Sequence, residues 1–426
     1  MKEKSPGGVR TRCASSFSPF DPTATLHSRI TARNSVNAAA YAAPSIETII
    51  VPRGVRVMVI AKRAGFSRGF SRYLDLARVS AALAVVLYHA GFQKNGGDWF
   101  HTGTIGPDAV TVFFVRSGVV ISYVVDTKES SPRLYISSRL ARLWSVLMPA
   151  LALTYLINLF GVRMNPVPNW IATDGSAWQL LPSALFVNEL WFHPVPPLSD
   201  IPVWSIGFEF WYYVFFGVII FAPGKWRYIA VSVVALIAGP RIMLLLLIWL
   251  LGVAVYRLGR RQLVGGAVAW ACFVVPPLII GSMILAHWNM ALIAAGAKLI
   301  GEDGSLGHWI WCENFLWAYL VGFLSAVHFY GAWCLHDRIA HVLVRFRNII
   351  ELTAGLTLSI YLFHFPLMTM ASAELDKWPH GPVRSIITIV ATLICCAVLG
   401  LLFERQRYPL RSLIMRVTKP LAHAIG

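Results

Sequence analysis

The chain has 426 residues, of which 57% are hydrophobic and 13% are charged, and its mean hydropathy is +0.61. Soluble globular domains are about half apolar and about a quarter charged, so this composition excludes an ordinary soluble fold and predicts a polytopic membrane protein. The net charge of +17 does not indicate nucleic-acid binding, because the basic residues are distributed over alternate loops and form no contiguous basic face.

Residues 1–70 are rich in Ser, Ala, Pro, Arg and Lys and lack an apolar run long enough for a signal-peptide core. They are expected to form a disordered, basic cytoplasmic tail. Met58 is an alternative start of translation, and both readings stay open. Residues 71–411 are predicted to form the membrane domain, and residues 412–426 a short basic cytoplasmic tail.

An all-α fold is expected for the membrane domain, as a polytopic transmembrane helical bundle of about ten spans. The fifth and sixth spans are short, with Gly239-Pro240 forming a tight turn between them. Lys and Arg concentrate in alternate loops, which predicts that both termini are cytoplasmic. The predicted spans are 74–93, 105–125, 143–162, 204–222, 227–240, 241–256, 264–286, 310–331, 349–371 and 385–403.

The six cysteines show no C-x-x-C pair and mostly fall in or beside apolar segments. This pattern predicts neither a disulfide framework nor a zinc site, and no metal or permanently bound cofactor is expected.

The first span places Arg78 and His89 in one apolar helix. Eleven positions leave them nearly on the same face, about 16 Å apart along the axis. Ionisable groups at membrane depth are costly and are functional candidates by default. Asp75 is the expected partner of Arg78, at i−3.

The second span contains VFFVRSG, in which Ser117 and Gly118 form a small-residue step that lets another backbone or a ligand come close. Arg116 lies in the middle of the span and therefore requires a carboxylate, a phosphate or water. For Arg116, Ser117 and Gly118 the sequence leaves two roles undecided, contact with the substrate and support of the structure.

Two arginines one turn apart, Arg139 and Arg142, follow at the predicted cytoplasmic border. Planar guanidinium groups suit phosphate oxygens, so this pair is a candidate clamp for a pyrophosphate or a 3′-phosphate. The alternative is that both are ordinary positive-inside signals.

The long loop before the fourth span contains several Trp residues and a Pro-rich run, Pro194 to Pro197. A rigid lid or acceptor platform is one interpretation, and an interfacial helix with a plain linker is the other.

Glu209 in the fourth span and His364 in the ninth are expected at a depth similar to that of His89. Three ionisable side chains from three helices at one depth predict a catalytic centre, in which Glu209 orients or deprotonates His89 or only makes an interhelical hydrogen bond. Neighbouring residues expected to support the substrate or the structure are Trp204, Ser205, Ser359 and Tyr361.

These segments together resemble acyltransferase family 3, the integral membrane O-acyltransferases that include O-antigen and Nod-factor acetylases. The matching segments are R-x10-H, FFVRSG, R-x-x-R, WSIGFEFWYY, WLLGVAVYRL and SIYLFHFPL, in family order between residues 74 and 411. The resemblance implies that Arg78 and His89 are the essential pair and that Arg139 and Arg142 contact acyl-CoA. Arg116 departs from the family pattern, which usually has an apolar residue before Ser-Gly.

The resemblance implies an enzyme of the bacterial inner membrane, with multiple spans, that moves an acyl group, usually acetyl, from cytoplasmic acyl-CoA to a carbohydrate hydroxyl. The expected partners are the lipid bilayer, acetyl-CoA or another acyl-CoA as co-substrate, and a glycan or lipid-linked sugar, and no nucleic acid. His89 is the expected general base, with Glu209 or His364 setting its tautomer, and transient acylation of His89 stays open. Acylation of a small hydrophobic metabolite is an alternative, as is a transporter or flippase, although the chain shows no convincing internal repeat.

Overall fold

A computed structural model describes residues 66–92, 102–160, 176–301, 309–379 and 381–418. Nearly all of the predicted N-terminal tail and the end of the predicted C-terminal tail therefore lie outside the described residues. The helices are α1 (Arg68–Ala90), α2 (Ile105–Thr127), α3 (Pro132–Leu159), α4 (Leu180–Ala184), α5 (Trp204–Phe221), α6 (Trp226–Ala238), α7 (Pro240–Gly259), α8 (Gly266–Leu285), α9 (Trp288–Leu299), α10 (Phe315–Cys334), α11 (His336–Leu343), α12 (Arg347–Gly355), α13 (Thr357–Glu374), α14 (Pro382–Phe403) and α15 (Arg407–Val417).

The all-helical architecture is confirmed, since the described residues contain helices and no β-strand. A helix lies in each of the ten stretches predicted to span the membrane. Seven of the described helices are long and apolar enough to cross a membrane, or eight if residues His336–Gly355 and Thr357–Glu374 form one span bent by 53°. The count of ten spans and the orientation of the termini stay predictions.

The largest differences from the predicted limits occur in the third and ninth spans. The third begins at Pro132 instead of residue 143, because Ser131 caps it by accepting a hydrogen bond from the Leu134 amide at 3.3 Å and proline suits the first helical position. The ninth predicted span, 349–371, is interrupted after Gly355, where α12 ends and α13 begins. The predicted turn between α6 and α7 is confirmed, with Gly239 at φ +84° before Pro240.

Backbone contact between α2 and α7 fixes the centre of the bundle. A Cβ on Gly118 would lie 2.1 Å from the carbonyl oxygen of Trp249, and one on Gly252 would lie 1.9 Å from that of Val115. Only glycine fits at such an approach. Helix α1 packs along α2, and α13 packs against both α1 and α3, so the helices that carry the candidate residues surround one core.

Candidate active site

Two histidines from α1 and α13 meet at the centre of the candidate site. His89 is 7% exposed and His364 is fully buried. The Nε2 atom of His364 lies 3.0 Å from the Nδ1 atom of His89. The rings of Tyr88, Phe92 and Phe365 surround His89 with centroids 4.9 to 5.2 Å away. The histidine pair therefore lies in an aromatic environment.

The hydrogen bonds of the pair assign the tautomer of His89. The Nδ1 atom of His364 lies 3.0 Å from the carbonyl oxygen of Ile360 and 2.8 Å from that of Tyr361. Both oxygens are acceptors, so Nδ1 of His364 carries the proton and Nε2 of His364 accepts. The Nδ1 atom of His89, which also lies 3.0 Å from the Val85 carbonyl oxygen, is then the donor. Neutral His89 therefore carries its basic lone pair on Nε2.

Glu209 lies in a different hydrogen-bond group. Its Oε1 atom accepts a 2.6 Å hydrogen bond from the Ser117 hydroxyl on α2 and another from the Tyr213 hydroxyl on its own helix. The structure thus shows Glu209 in an interhelical hydrogen bond. Between the two predicted partners of His89, the geometry favours His364 as the group that sets the tautomer.

A cavity of about 60 Å³ lies beside these groups, and we name it the arginine cavity. It contains three arginines from three different helices, which is unusual at membrane depth. Its lining comprises Arg78, Arg116, Arg142, Glu209, Ser205, Tyr361, Thr357, Leu358, Val110, Phe113 and Phe114.

Asp75 joins two of these arginines, as predicted for Arg78. Its Oδ1 atom lies 3.8 Å from Nη2 of Arg78 and 3.3 Å from Nη2 of Arg116. Arg116 also donates through Nε to the carbonyl oxygen of Leu74 at 2.8 Å, and Arg78 donates to that of Ala354, where α12 ends. The partner that Arg116 requires is therefore a carboxylate of the neighbouring helix.

The structure separates Arg139 from Arg142. Arg139 forms a buried ion pair with Glu129 at 2.6 Å and lies against the rings of Tyr135 and Tyr213 at 5.4 and 5.7 Å. Arg142 lines the cavity, and its guanidinium makes no hydrogen bond or close ion pair with any described residue. It is attracted only at longer range, by carboxylates that include Glu209, Glu404 and Asp75. Arg142 is thus available to an anionic ligand, whereas Arg139 is already neutralised.

Tyr361 connects the arginine cavity to the histidine pair. Its hydroxyl lies 2.7 Å from that of Ser205 at the cavity wall, and its carbonyl oxygen accepts from His364. The other two predicted supporting residues lie elsewhere. Ser359 donates to Glu404 at 3.2 Å, and Trp204 stacks on Trp311 with centroids 5.1 Å apart.

Two charged or polar members of the site were not predicted. Tyr213 lies one turn after Glu209 in α5, and this i, i+4 spacing was a usable signal. Glu404 follows the last predicted span, in a sequence rich in arginine, and nothing in its pattern distinguishes it from a loop residue. No group of three or more His, Cys, Asp or Glu side chains in the described ranges is arranged to bind a metal ion.

The described part of the long loop, residues 176–203, is docked on the bundle. Indole Nε1 atoms of Trp144 and Trp211 donate at 2.9 Å to loop carbonyl oxygens, and the loop's Glu189 forms a fully buried ion pair with Arg241 of α7. Asp200 is also fully buried, and burial raises the pKa of its carboxyl well above the usual range, opposed only in part by a 3.4 Å hydrogen bond from Thr154. These contacts favour a rigid cover over a plain linker.

Comparison with known proteins gives one family match and two related proteins. The family model described as an acyltransferase domain matches residues 71–401. The exopolysaccharide production protein ExoZ of Rhizobium meliloti is 26% identical over 350 residues, which cover 79% of this chain and 98% of ExoZ. The acyltransferase MdmB of Streptomyces mycarofaciens is 30% identical over 145 residues, covering 32% of this chain and 35% of MdmB. No solved structure gives a significant match.

The matched region includes every helix that contributes to the histidine pair and the arginine cavity. It also contains, in order, the motifs on which the resemblance rests. The chain therefore belongs to acyltransferase family 3 and is a membrane O-acyltransferase.

Proposed function

We propose that this enzyme transfers an acyl group, with acetyl as the expected case, from cytoplasmic acyl-CoA to a hydroxyl of an extracytoplasmic or lipid-linked carbohydrate. The observation that carries the proposal is Arg142, a cation without a close partner among the described residues, in a cavity with two further arginines. Such a cavity suits the phosphates of a CoA donor.

The dimensions of the donor support this placement. Arg78 and His89 are eleven residues apart on α1, which is about 16 Å along the helix axis. About thirteen covalent bonds separate the diphosphate of CoA from its sulfur, and an extended chain of that length reaches roughly 15 Å. A diphosphate held in the arginine cavity therefore brings the thioester to the level of His89.

The tautomer of His89 supports its role as general base. Its Nε2 atom would take the proton from the acceptor hydroxyl while the hydroxyl oxygen attacks the thioester carbonyl carbon. The carbon–sulfur bond then breaks, and the CoA thiolate recovers the proton from His89. Acylation of His89 followed by transfer to the sugar would begin from the same lone pair, so the site suits both routes.

The relatives support the acceptor class. ExoZ is named for exopolysaccharide production, and the alignment with it extends over nearly its whole length. We therefore place a carbohydrate first among acceptors, ahead of a small hydrophobic metabolite.

The direct test is to incubate membranes containing the full-length protein with radiolabelled acetyl-CoA and to separate lipid-linked and polymeric glycans. Label should appear in one of these glycan fractions with the wild type and should be lost with His89→Gln, which preserves volume but has no basic nitrogen. Label confined to small extractable metabolites would refute the carbohydrate acceptor. Equal labelling by both proteins would refute the role of His89.

A second experiment tests the donor cavity. Loss of one charge-assisted contact costs about 1 to 3 kcal/mol, so Arg142→Ala should raise the KM for acetyl-CoA by roughly 5- to 150-fold. The matched variant Arg139→Met should reduce thermal stability, because it leaves Glu129 buried without its partner, and should leave the KM of the folded enzyme nearly unchanged. Equal effects on KM from both variants would contradict the separation seen in the structure.

A further inference from the structure

The segment that follows α14 is basic and is docked on the bundle. Residues Glu404–Gln406 form one turn of 3₁₀-helix, and α15 begins directly after this turn at Arg407. Helix α15 packs along α3, and Arg133 at the start of α3 donates through Nε to the Thr418 hydroxyl at 3.1 Å. The position of α15 relative to α3 is therefore fixed by packing and by a hydrogen bond at its end.

Glu404 connects this segment to the arginine cavity. Its Oε1 atom accepts hydrogen bonds from the backbone amide and the hydroxyl of Ser359, both at 3.2 Å. The two residues before Ser359 line the cavity. Arg142 of the cavity and Arg407 of α15 both interact electrostatically with the Glu404 carboxylate. The arginine cavity and the start of α15 are therefore neighbours that meet at Glu404.

This segment lies on the side of the cavity away from the histidine pair. On α13, Ser359 precedes His364 by five residues, which is about 8 Å along the axis. Glu404, which contacts Ser359, follows the end of α14, and α14 packs along α13. A donor whose thioester points towards His89 therefore has its nucleotide end on the side of Glu404 and α15.

Two arginines of α15, Arg407 and Arg411, lie one helical turn apart. Among the described residues Arg411 has no hydrogen bond or ion pair, and Arg407 donates only to the hydroxyl of its neighbour Tyr408, at 2.9 Å. Two like charges at this spacing repel each other, and an anion bound by both would offset the repulsion. The pair is therefore suited to a phosphate group.

The burial of α15 provides a control for this pair. Arg411 is half-buried together with Leu410, Ile414 and Met415, on the side of the helix that packs on α3, whereas Arg416 is exposed. Arg416 lies five residues after Arg411, which puts it on roughly the opposite side at about 100° per residue. It has the same charge on the same helix but a different position.

The dimensions of CoA match this arrangement. Sites that enclose a drug-sized ligand have volumes of about 300 to 1,000 Å³, so a cavity of about 60 Å³ leaves the adenosine portion of CoA outside. About six covalent bonds, or roughly 7 Å, separate the diphosphate from the 3′-phosphate. Arg407 and Arg411 lie three and seven residues beyond Glu404, about 5 and 10 Å along the helix axis, within reach of that phosphate.

We propose that Arg407 and Arg411 bind the 3′-phosphate of the acyl-CoA donor, so that the enzyme discriminates against donors that lack this phosphate. This inference rests on the proposed function and identifies the residues that recognise the nucleotide end of the donor. The pair determines donor specificity through guanidinium–phosphate contacts and does not touch the reacting atoms.

The first test compares the equilibrium binding of CoA and of 3′-dephospho-CoA to the full-length protein in phosphatidylcholine nanodiscs. Neither compound carries an acyl group, so the measurement does not depend on turnover. CoA should bind roughly tenfold more tightly, because only CoA makes the charge-assisted contacts with the pair. Equal binding of the two compounds by the wild type would overturn the proposal.

The second test removes each charge while keeping a long polar side chain. Arg407→Gln and Arg411→Gln should each lose most of the preference for CoA, whereas the matched variant Arg416→Gln should keep it. The wild-type preference in both Arg407→Gln and Arg411→Gln would overturn the proposal. An equal loss in Arg416→Gln would also overturn it, because the effect would then come from net charge alone.

The third test separates the donor from lipid, since anionic headgroups also carry phosphate. The measurements are repeated in nanodiscs with equal parts of phosphatidylcholine and phosphatidylglycerol, where the wild-type preference for CoA should persist. If the pair binds lipid instead, Arg407→Gln and Arg411→Gln will lower thermal stability only in the phosphatidylglycerol nanodiscs and leave the preference for CoA unchanged. That result would overturn the proposal.

The outcomes also distinguish this inference from the proposed function. Binding of both compounds that is weakened by Arg142→Ala but shows no preference for CoA would refute this inference alone. Failure of the wild type to bind either compound would refute the acyl-CoA donor, and with it the proposed function.

Discussion

The contact between His364 and His89 leads to the sharpest prediction about the mechanism. Replacing His364 with Phe removes the acceptor 3.0 Å from Nδ1 of His89 while keeping a ring in the buried site. The carbonyl oxygens that His364 contacts belong to its own helix and are already satisfied there. The variant therefore tests one interaction, the hydrogen bond that keeps the proton on Nδ1 of His89.

The decrease in rate expected for His364→Phe depends on the hydrogen bond that His89 keeps in the variant. The Val85 carbonyl oxygen still accepts from Nδ1 of His89 at 3.0 Å, so the preference for the reactive tautomer is weakened and not reversed. Loss of one buried hydrogen bond is worth about 1 to 3 kcal/mol, which corresponds to a decrease in kcat of roughly 5- to 150-fold. Loss of the base itself in His89→Gln should cost about a hundredfold to ten-thousandfold.

The assay is acetyl transfer in membranes, with rates normalised to the amount of folded protein. His364→Gln serves as the matched variant, because its amide oxygen can accept from His89 and should recover part of the rate lost in His364→Phe. A decrease in His364→Phe as large as that in His89→Gln, with no recovery in His364→Gln, would mean that His364 is itself the base. A wild-type rate in His364→Phe would show that the tautomer does not depend on this contact.

Three other predictions concern the fold. Gly118→Ala should destabilise the protein by about 1 to 3 kcal/mol in thermal unfolding, whereas Gly281→Ala, with open space around it, should not. Burial raises the folded-state pKa of Asp200, so the stability that protonated Asp200 contributes is present below about pH 4 and is lost as the pH rises towards the folded-state pKa. Because an asparagine does not ionise, Asp200→Asn should become more stable than the wild type as the pH increases. A reporter inserted near Trp178 should read as external and one after Arg260 as cytoplasmic, and the opposite result would refute the predicted orientation.

The sequence was sufficient to predict that His89 and His364 lie at one depth, because helical rise and the predicted topology determine the depth of each. The structure shows that the two rings are in contact. It was not sufficient to choose between Glu209 and His364 as the partner of the base. That choice depends on the rotation of α5 about its axis, which directs Glu209 towards Ser117 and Tyr213. Apolar periodicity predicts which stretches are helices but does not resolve such a rotation when nearly every face of the helix is hydrophobic.

Arg139 and Arg142 illustrate the same limit. One helical turn apart, they are equivalent in sequence as a candidate phosphate clamp. The difference arises because Glu129, in the turn before α3, folds back onto Arg139. The interruption of the ninth predicted span after Gly355 had a local signal in the glycine itself, but an apolar run that includes one glycine is also compatible with a continuous span.

The close approach of α2 and α7 has a mechanical consequence for the arginine cavity. Helices in backbone contact cannot rotate or slide past each other without a collision, because no flexible side chain separates them. Gly118 is adjacent to Ser117 and two residues from Arg116, so this side of the cavity is a fixed frame. Any widening that admits a donor must come from helices outside this pair, of which α1, α3 and α13 contribute the remaining arginines and Tyr361.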